Sequence, residues 1–429
     1  MVWKRFLRHE VVLVVRKMKK CSVGWIGNIP DNWELNKIGY IYEERNEKTS
    51  EKSHMPLSVT QNGIVPRLDK VVKGENSNCR KLVKRNDFVI NSRSDRRGAC
   101  GISELDGSVS MINLVLRPKQ NVNNLFFSYV FKSDMFADEF YRYGNGIVDD
   151  LWSTKWSNMK QIYVPCPSVK TQQMIAEYLD HQCKLINSVM EIQEEQIIKL
   201  QEYRRTVITE TVSKGYDPAV SFKDSGVDWI GRIPESWQVI RLKFCTELRN
   251  KKWISKSRKR SYIGLENVES HTGKYIETDN NYDLTNALIC QPGDVIFAKL
   301  RPYLAKAFEV NKKSCCSSEF VVFGNFTGNS AYLKYVCLSD WFVKIVDAST
   351  YGTKMPRAAT DFIRNMQIPM PEPREQKEIA EYLDSVCLQI DKEVNNRNRL
   401  LARLSSYKKS LIYEAVTGKV DVPEQKSIS

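Results

Sequence analysis

The sequence predicts an α+β protein made of two tandem copies of one α/β domain. Each copy is followed by a long helix, and the two helices pair as an antiparallel coiled coil. Three observations carry the prediction: an internal repeat at one constant offset, an apolar seam at heptad-like spacing in both copies, and turn-into-strand patterns between the repeated parts.

WIGNIP at Trp25–Pro30 returns as WIGRIP at Trp229–Pro234, and both copies run on to a second tryptophan, Trp33 and Trp237. IAEYLD at Ile175–Asp180 returns at Ile379–Asp384. Both pairs stand 204 residues apart, and the same register joins Pro165 to Pro369, Pro167 to Pro371, Gln172 to Gln376 and Tyr203 to Tyr407. Agreement at one offset over both ends of each copy marks a tandem duplication.

Residues 40–160 and 244–364 share only traces by contrast. NDFVINSRSDRRG at Asn86–Gly98 and GDVIFAKLRPYLAK at Gly293–Lys306 both read as a turn into a β-rich strand followed by cations. YVFKSDMF at Tyr129–Phe136 likewise resembles YVCLSDWF at Tyr335–Phe342. Unlike contents in like frames suit a protein that reads two different things by one geometry.

The division that follows is an N-terminal extension at 1–17, a first domain at 18–165 and its helix at 166–216. A second domain at 217–369, its helix at 370–422 and a tail at 423–429 complete the chain. FKDSGVDWIG at Phe222–Gly231 aligns with MKKCSVGWIG at Met18–Gly27. Met18 therefore falls where the second copy's frame begins, and translation is expected to start there or at Met1.

The helices are read from their stripes. Ile175, Leu179, Cys183, Ile186, Met190, Ile197, Leu200 and Val207 step by three or four residues, as do Ile379, Leu383, Cys387, Ile390, Val394, Leu401, Leu404 and Leu411. A polar pair, Gln193 and Arg397, interrupts the two seams. Prolines precede each helix, and Gly215 and Gly418 follow as stop signals. A helix from Gln172 to Ser213 is roughly 63 Å long at 1.5 Å per residue. The link Gly215–Val227 reaches at most about 47 Å when extended, too short for a parallel pair.

Lysine and arginine number 65 against 51 aspartates and glutamates, a net charge of +14 that favours polyanionic partners. The longest apolar run near the start, Val11–Val15, is far below the ~20 residues of a membrane span, so no membrane association is expected. Eleven scattered cysteines without a C-x-x-C pattern read as reduced thiols of a cytoplasmic protein.

Cations point to contact sites. The run Lys251, Lys252, Lys256, Arg258, Lys259 and Arg260, interleaved with Trp253 and Tyr262, is the richest. Its dispersed counterpart in the first half is Arg80, Lys81, Lys84 and Arg85, followed by Arg93, Arg96 and Arg97. Such side chains supply phosphate contacts, while arginine and asparagine also read base edges. Catalytic patterns are lacking: no phosphate loop, no complete G-x-G-x-x-G, and four histidines without a ligand set. Glu266, Asp294 and Lys299 do not have the tight acid-x-lysine spacing of a nuclease, and neither catalytic residues nor a metal site is expected.

W-I-G-x-I-P-x-x-W, then a variable region of about 150 residues, then P-x-P-x(4)-Q-x-x-I-A-x-Y-L-D and a long helix, all twice over, resembles the specificity subunit of Type I restriction-modification systems. The resemblance covers the chain from about Met18 to Val422. It implies that each variable region is a target recognition domain reading one half of a split, asymmetric site on double-stranded DNA. It also implies a non-catalytic prokaryotic cytoplasmic subunit that recruits two modification (methyltransferase) subunits and two restriction (motor–nuclease) subunits. This chain is expected to bind no cofactor itself; S-adenosylmethionine, ATP and magnesium are expected on the partners. The W-I-G-x-I-P-x-x-W segments are expected to anchor each domain, with a partner surface as the added reading.

Candidate DNA contacts are Asn91, Arg93, Arg96 and Arg97 in the first domain. In the second they are Lys299, Arg301, Lys354, Arg357 and the Lys251–Arg260 run. Two other readings are a nuclease fused to its own specificity module, and a coiled-coil scaffold with an incidental basic surface. Matched four-residue changes in both helices are expected to alter the unread spacer and leave the half-sites intact.

Overall fold

The computed structural model describes residues 17–67, 79–147, 152–217, 219–253, 261–278 and 286–422. The chain forms two compact units, Met1–Ile192 with Leu400–Ser429, and Gln193–Arg399. Each unit thus holds one variable domain, the start of the helix that follows it, and the end of the other helix.

In unit 1 the elements run β1 (Met18–Lys20), β2 (Asn28–Pro30), β3 (Glu34–Lys37), α1 (Ile38–Ile41), β4 (Tyr42–Glu44), β5 (Lys48–Thr49), β6 (Leu57–Thr60) and β7 (Gly63–Pro66). They continue with β8 (Arg80–Val83), β9 (Phe88–Asn91), β10 (Cys100–Ile102), β11 (Gly107–Ser110), β12 (Asn113–Pro118), α2 (Asn124–Lys132), α3 (Asp134–Arg142), α4 (Trp156–Met159) and β13 (Tyr163–Cys166). The helix α5 (Val169–Lys214) follows. The central sheet has the order β10-β9-β12-β4 and the smaller one β11-β8-β5; β13 closes on β3 and β1 on β2.

Unit 2 repeats the scheme. It runs β14 (Phe222–Asp224), β15 (Arg232–Pro234), β16 (Gln238–Arg241), α6 (Leu242–Cys245), β17 (Glu247–Leu248), β18 (Ser261–Ile263), β19 (Leu288–Cys290) and β20 (Val295–Ala298). Next come β21 (Ala307–Glu309), β22 (Ser314–Cys316), β23 (Phe320–Gly324), α7 (Ser330–Leu338), α8 (Asp340–Ala348), α9 (Thr360–Asn365), β24 (Gln367–Met370) and α10 (Pro373–Val416). Its central sheet is β17-β23-β20-β21, and β18-β22-β19 lies beside it. The match extends well into the segments whose sequences share only traces.

The repeated motifs explain why. Gln172 is buried at the start of α5; its Oε1 accepts the backbone N–H of Asn123 at 2.9 Å and its Nε2 donates to the Pro167 carbonyl at 2.8 Å. Asn123 is in turn the N-cap of α2, accepting from the Phe126 N–H. Gln376 repeats this on Asn329 and Pro371, both at 2.8 Å, and Asn329 caps α7. One glutamine therefore ties the closing strand, the sheet-packing helix and the long helix together.

The tryptophan motif closes the other end. Trp25, Ile26, Ile29 and Trp33 share a core with Leu411, Ala415 and Val416 of α10. In unit 2, Ile230, Ile233 and Trp237 share one with Ile208 and Val212 of α5. Gly215 and Gly418 end the helices at φ +75° and +71°, the left-handed conformation of a helix stop. A Cβ on Gly418 would stand 2.6 Å from Pro30 and 3.1 Å from Trp33. The motif thus seats on the glycine that terminates the opposite helix.

The seam residues are buried or half-buried along both helices. In unit 2 the helices run antiparallel: Arg397 Nη1 donates to Gln193 Oε1 at 2.8 Å, and Arg204 reaches the Cys387 carbonyl and Asp391. In unit 1 Lys408 donates to Asn187 at 2.8 Å. At two positions the stripe faces its own domain instead, since the Cys183 and Cys387 thiols meet the hydroxyls of Tyr129 and Tyr335. A helix that leaves a domain must first cover that domain's core. All eleven cysteines are free thiols.

Candidate nucleic-acid interface

The candidate cations sit in loops whose bases the fold fixes in the same way twice. Before each central strand the chain turns through the left-handed region, at Asn86 (φ +70°) and Gly293 (φ +85°). The next residue, Asp87 or Asp294, is buried. Asp87 accepts from Arg45 at 2.7 Å and from the Lys84 N–H at 2.8 Å. Asp294 accepts from Arg249 at 2.8 Å and from the Gln291 N–H at 2.8 Å. The Asp87 carboxylate also lifts the Arg45 pKa above its ordinary value, chiefly by hydrogen bonding. Asp294 is therefore spent on a structural pair and is not free for hydrolytic chemistry.

The strands β9 and β20 deliver the chain to the candidate loops. In domain 1, Asn91 ends β9 and its Oδ1 accepts the Arg93 N–H at 3.0 Å. Arg93 and Arg96 are exposed, Arg96 on a 3-10 turn at Ser94–Arg96. Asn91, Arg93 and Arg96 line one groove of about 750 Å³ with Thr60, Arg67 and Asn113. Arg97 leans away to Asp138, at 2.5 Å, and to the Asp134 carbonyl.

Two of the dispersed cations of the first half are not surface groups. Arg80 is buried, bonded to Ser108 and Glu51, and burial lowers its pKa. Lys81 is buried against Glu44 at 2.9 Å. Both lie on β8, between β11 and β5, where an ion pair is the means of burying a charge.

In domain 2, Lys299 and Arg301 follow β20, with Arg301 in the left-handed region at φ +50°. The loop is stitched to the segment 351–358: Ala358 N–H donates to the Lys299 carbonyl at 2.9 Å and Arg301 N–H to the Pro356 carbonyl at 2.8 Å. Tyr351 and Arg357 exchange both backbone hydrogen bonds at 3.1 Å. Lys299, Arg301 and Arg357 are thereby brought together, and Lys354 is exposed on the hairpin that Tyr351 and Arg357 close. The Arg357 guanidinium donates to Glu319 through two bonds of 2.9 and 3.0 Å, which raise its pKa and brace the hairpin. Lys251 and Lys252 stand on a separate segment: the Lys251 carbonyl accepts from Ile289 of β19, and Lys252 reaches Asn286. Lys256, Arg258, Lys259 and Arg260 lie outside the described residues.

The fold is similar to that of solved chains. A chain from a structure addressing complex assembly and conformational transition of the type I R-M system matches with a TM-score of 0.69 at 14% identity, covering 91% of this chain and 99% of that one. The HsdS subunit from Thermoanaerobacter tengcongensis matches with a TM-score of 0.52, also at 14% identity, over 91% and 98%. Residues 234–401 fit the family model described as Type I restriction modification DNA specificity domain. The MjaVIII specificity subunit of a Type I restriction enzyme from Methanocaldococcus jannaschii is 23% identical over 426 residues, 92% of this chain and 94% of the relative. The chain is thus similar along its length to Type I specificity subunits, and its residues 234–401 match their DNA specificity domain.

Sequence reasoning missed the hairpins. Asn145 and Ser153 exchange backbone hydrogen bonds at 3.0 and 3.1 Å, and Thr154 N–H donates to the Ser92 carbonyl at 2.9 Å, the domain 1 counterpart of the stitching in domain 2. The signal in the sequence is slight: YGN at Tyr143–Asn145 and YGT at Tyr351–Thr353 share two residues, at an offset other than 204. Among the described residues, no helix is long and apolar enough to cross a membrane.

Proposed function

We propose that this chain is the DNA-reading subunit of a Type I restriction-modification complex, its two domains each reading one half of a split, asymmetric double-stranded site. The observation that carries the reading is the pair of loops after β9 and β20: one backbone frame, stitched to its neighbour by corresponding hydrogen bonds, presenting unlike polar and cationic side chains. Asn91, Arg93 and Arg96 serve the first half-site, and Lys299, Arg301 and Lys354 the second. Arginine and asparagine suit base edges, and lysine suits phosphates.

The subunit is non-catalytic and cytoplasmic in this reading. Two methyltransferase subunits carrying S-adenosylmethionine and two motor–nuclease subunits using ATP and magnesium would supply the chemistry. A nuclease–specificity fusion is disfavoured because Asp294, the acid such a site needs, is paired with Arg249.

The test is the adenine methylome of the native cell at single-base resolution, with and without this gene. Loss of one split motif on deletion is the expected result. An unchanged methylome, together with no sequence-specific DNA retention by the subunit complexed with its methyltransferase, would overturn the reading.

A further inference from the structure

Both domains carry, beside the cationic loop, a segment closed by paired backbone hydrogen bonds that exposes large apolar side chains. In domain 1 the hairpin closed by Asn145 and Ser153 carries Ile147, which is 96% exposed. In domain 2 the hairpin closed by Tyr351 and Arg357 carries Tyr351 and Met355, 66% and 54% exposed. Isoleucine, methionine and tyrosine left exposed in this way gain nothing from the fold, since their apolar surface stays in water.

The bases of the hairpins, by contrast, are built. Trp152 stacks on Tyr141 with ring centroids 5.6 Å apart and donates to the Tyr141 carbonyl at 2.9 Å. A Cβ on Gly144 would stand 2.3 Å from the Trp152 ring nitrogen, so only glycine lets that indole close the base. In domain 2 the Arg357–Glu319 pair does the same work with different chemistry. A braced base beside exposed apolar side chains is an arrangement suited to insertion.

Resting on the functional reading above, we propose that these hairpins are a second set of base-reading elements, which place Ile147 in one half-site, and Tyr351 and Met355 in the other, against base edges of duplex DNA. In domain 2, charge decides the occupant. The domain 2 tip also carries Lys354, and its base is hydrogen-bonded to the loop of Lys299 and Arg301, so the apolar side chains enter a groove that the cations hold by its phosphates. Apolar side chains in the major groove discriminate through contacts such as that with the thymine methyl group. The cationic loop then supplies position and its own base contacts, and the hairpin supplies a further part of the sequence.

The experiment uses the full chain in complex with its methyltransferase subunits, on duplexes bearing the site taken from the methylome. Tyr351→Ser with Met355→Ser is expected to relax only the domain 2 half-site, reducing discrimination there roughly five- to tenfold. Its salt dependence should be unchanged. Ile147→Ser should act only on the other half. Lys354→Ala is the comparator: it should weaken binding to all sequences and lower the salt slope by about one, with the motif intact. Unfolding transitions should match the wild type, because the substituted side chains are exposed.

Specific binding by every serine variant with both half-sites unrelaxed would overturn the proposal and leave the functional reading standing. Loss of assembly with the methyltransferase in the serine variants would overturn it in favour of a protein contact. No sequence-specific binding by the wild-type complex would overturn both.

Discussion

Trp25 and Trp229 occupy the same place in the repeat, yet their surroundings differ. Trp25 is buried edge-on against Phe136 at 5.7 Å, and the Tyr413 hydroxyl donates to the carbonyls of Trp25 and Ile26 at 3.1 and 3.2 Å. Trp229 remains 36% exposed beside a cleft of about 360 Å³ lined by Thr209, Ser213 and Trp341. The residue that matches Tyr413 in the repeat is Thr209, too short to reach over the motif, and its hydroxyl instead accepts the Asp340 N–H. One large-to-small difference on a helix thus opens a surface in domain 2 that domain 1 closes. The lesson is that duplication preserved the backbone frame while side chains around it drifted. What both copies retain therefore marks what the frame needs.

The Arg–Asp pair under each central strand is the sharpest instance, and breaking it should have the largest effect. Arg45→Ala and Arg249→Ala would leave Asp87 and Asp294 buried with a single backbone donor each. Removing one partner of a buried pair costs about 3–5 kcal/mol. Domain 2 should fall at the lower end, because Arg249 is the more exposed arginine. Chemical denaturation of the full chain checks this; a loss below about 1 kcal/mol in either domain would make the pair incidental.

The helix stops separate the copies more finely. Gly418→Ala and Gly215→Ala both face the left-handed backbone, but Gly418→Ala also runs into Pro30 and Trp33, whereas Gly215→Ala meets Trp237 at 3.5 Å and Glu375 at 3.8 Å, ordinary contacts. Alanine in a left-handed position costs roughly 1–2 kcal/mol, and overpacking adds about 1–3 kcal/mol. Thermal unfolding should therefore place Gly418→Ala clearly below Gly215→Ala. Equal losses would mean that Pro30 and Trp33 yield freely.

Much of this was legible in the sequence because duplication doubles every structural signal. Proline, glutamine, tryptophan and glycine recur at one offset because each fills a place that no other side chain fits: the buried Gln172 and Gln376 amides must both donate and accept. The paired central strands were legible as turn-into-strand patterns, since a left-handed residue before a buried aspartate leaves a trace. Arg80 and Lys81 misled, because a charge run in sequence does not say which members find a carboxylate across a sheet. The hairpins were invisible for a related reason: their stitching uses backbone groups, which impose almost no residue identity.

The polar layer between the helices offers a smaller effect. Gln193 and Arg397 hold the same place in the two copies and bond to each other, with Arg397 Nε left without a partner. Replacing both by leucine should leave stability unchanged or raise it by about 1 kcal/mol, as apolar replacements of buried polar groups often do. A loss of several kcal/mol on denaturation would show that the layer stabilises the pair and does more than fix its register.

The smallest effect is a change of rate, and it compares the two domains directly. Cys79 is the one exposed cysteine of the eleven, and it lines the domain 1 groove with Asn91, Arg93 and Arg96. The others are buried or half-buried, and burial pushes the Cys100 thiol up to about 12 and the Cys245 thiol up to about 11, where little thiolate exists near neutrality. A maleimide at neutral pH should therefore mark Cys79 first. In the methyltransferase complex, a duplex carrying the intact domain 1 half-site should slow that labelling several-fold. A duplex altered only in that half should protect less, while one altered only in the domain 2 half should retain most of the protection. Equal protection by all three duplexes would place the groove on the path of the phosphates and leave the reading of bases in domain 1 to the hairpin of Ile147.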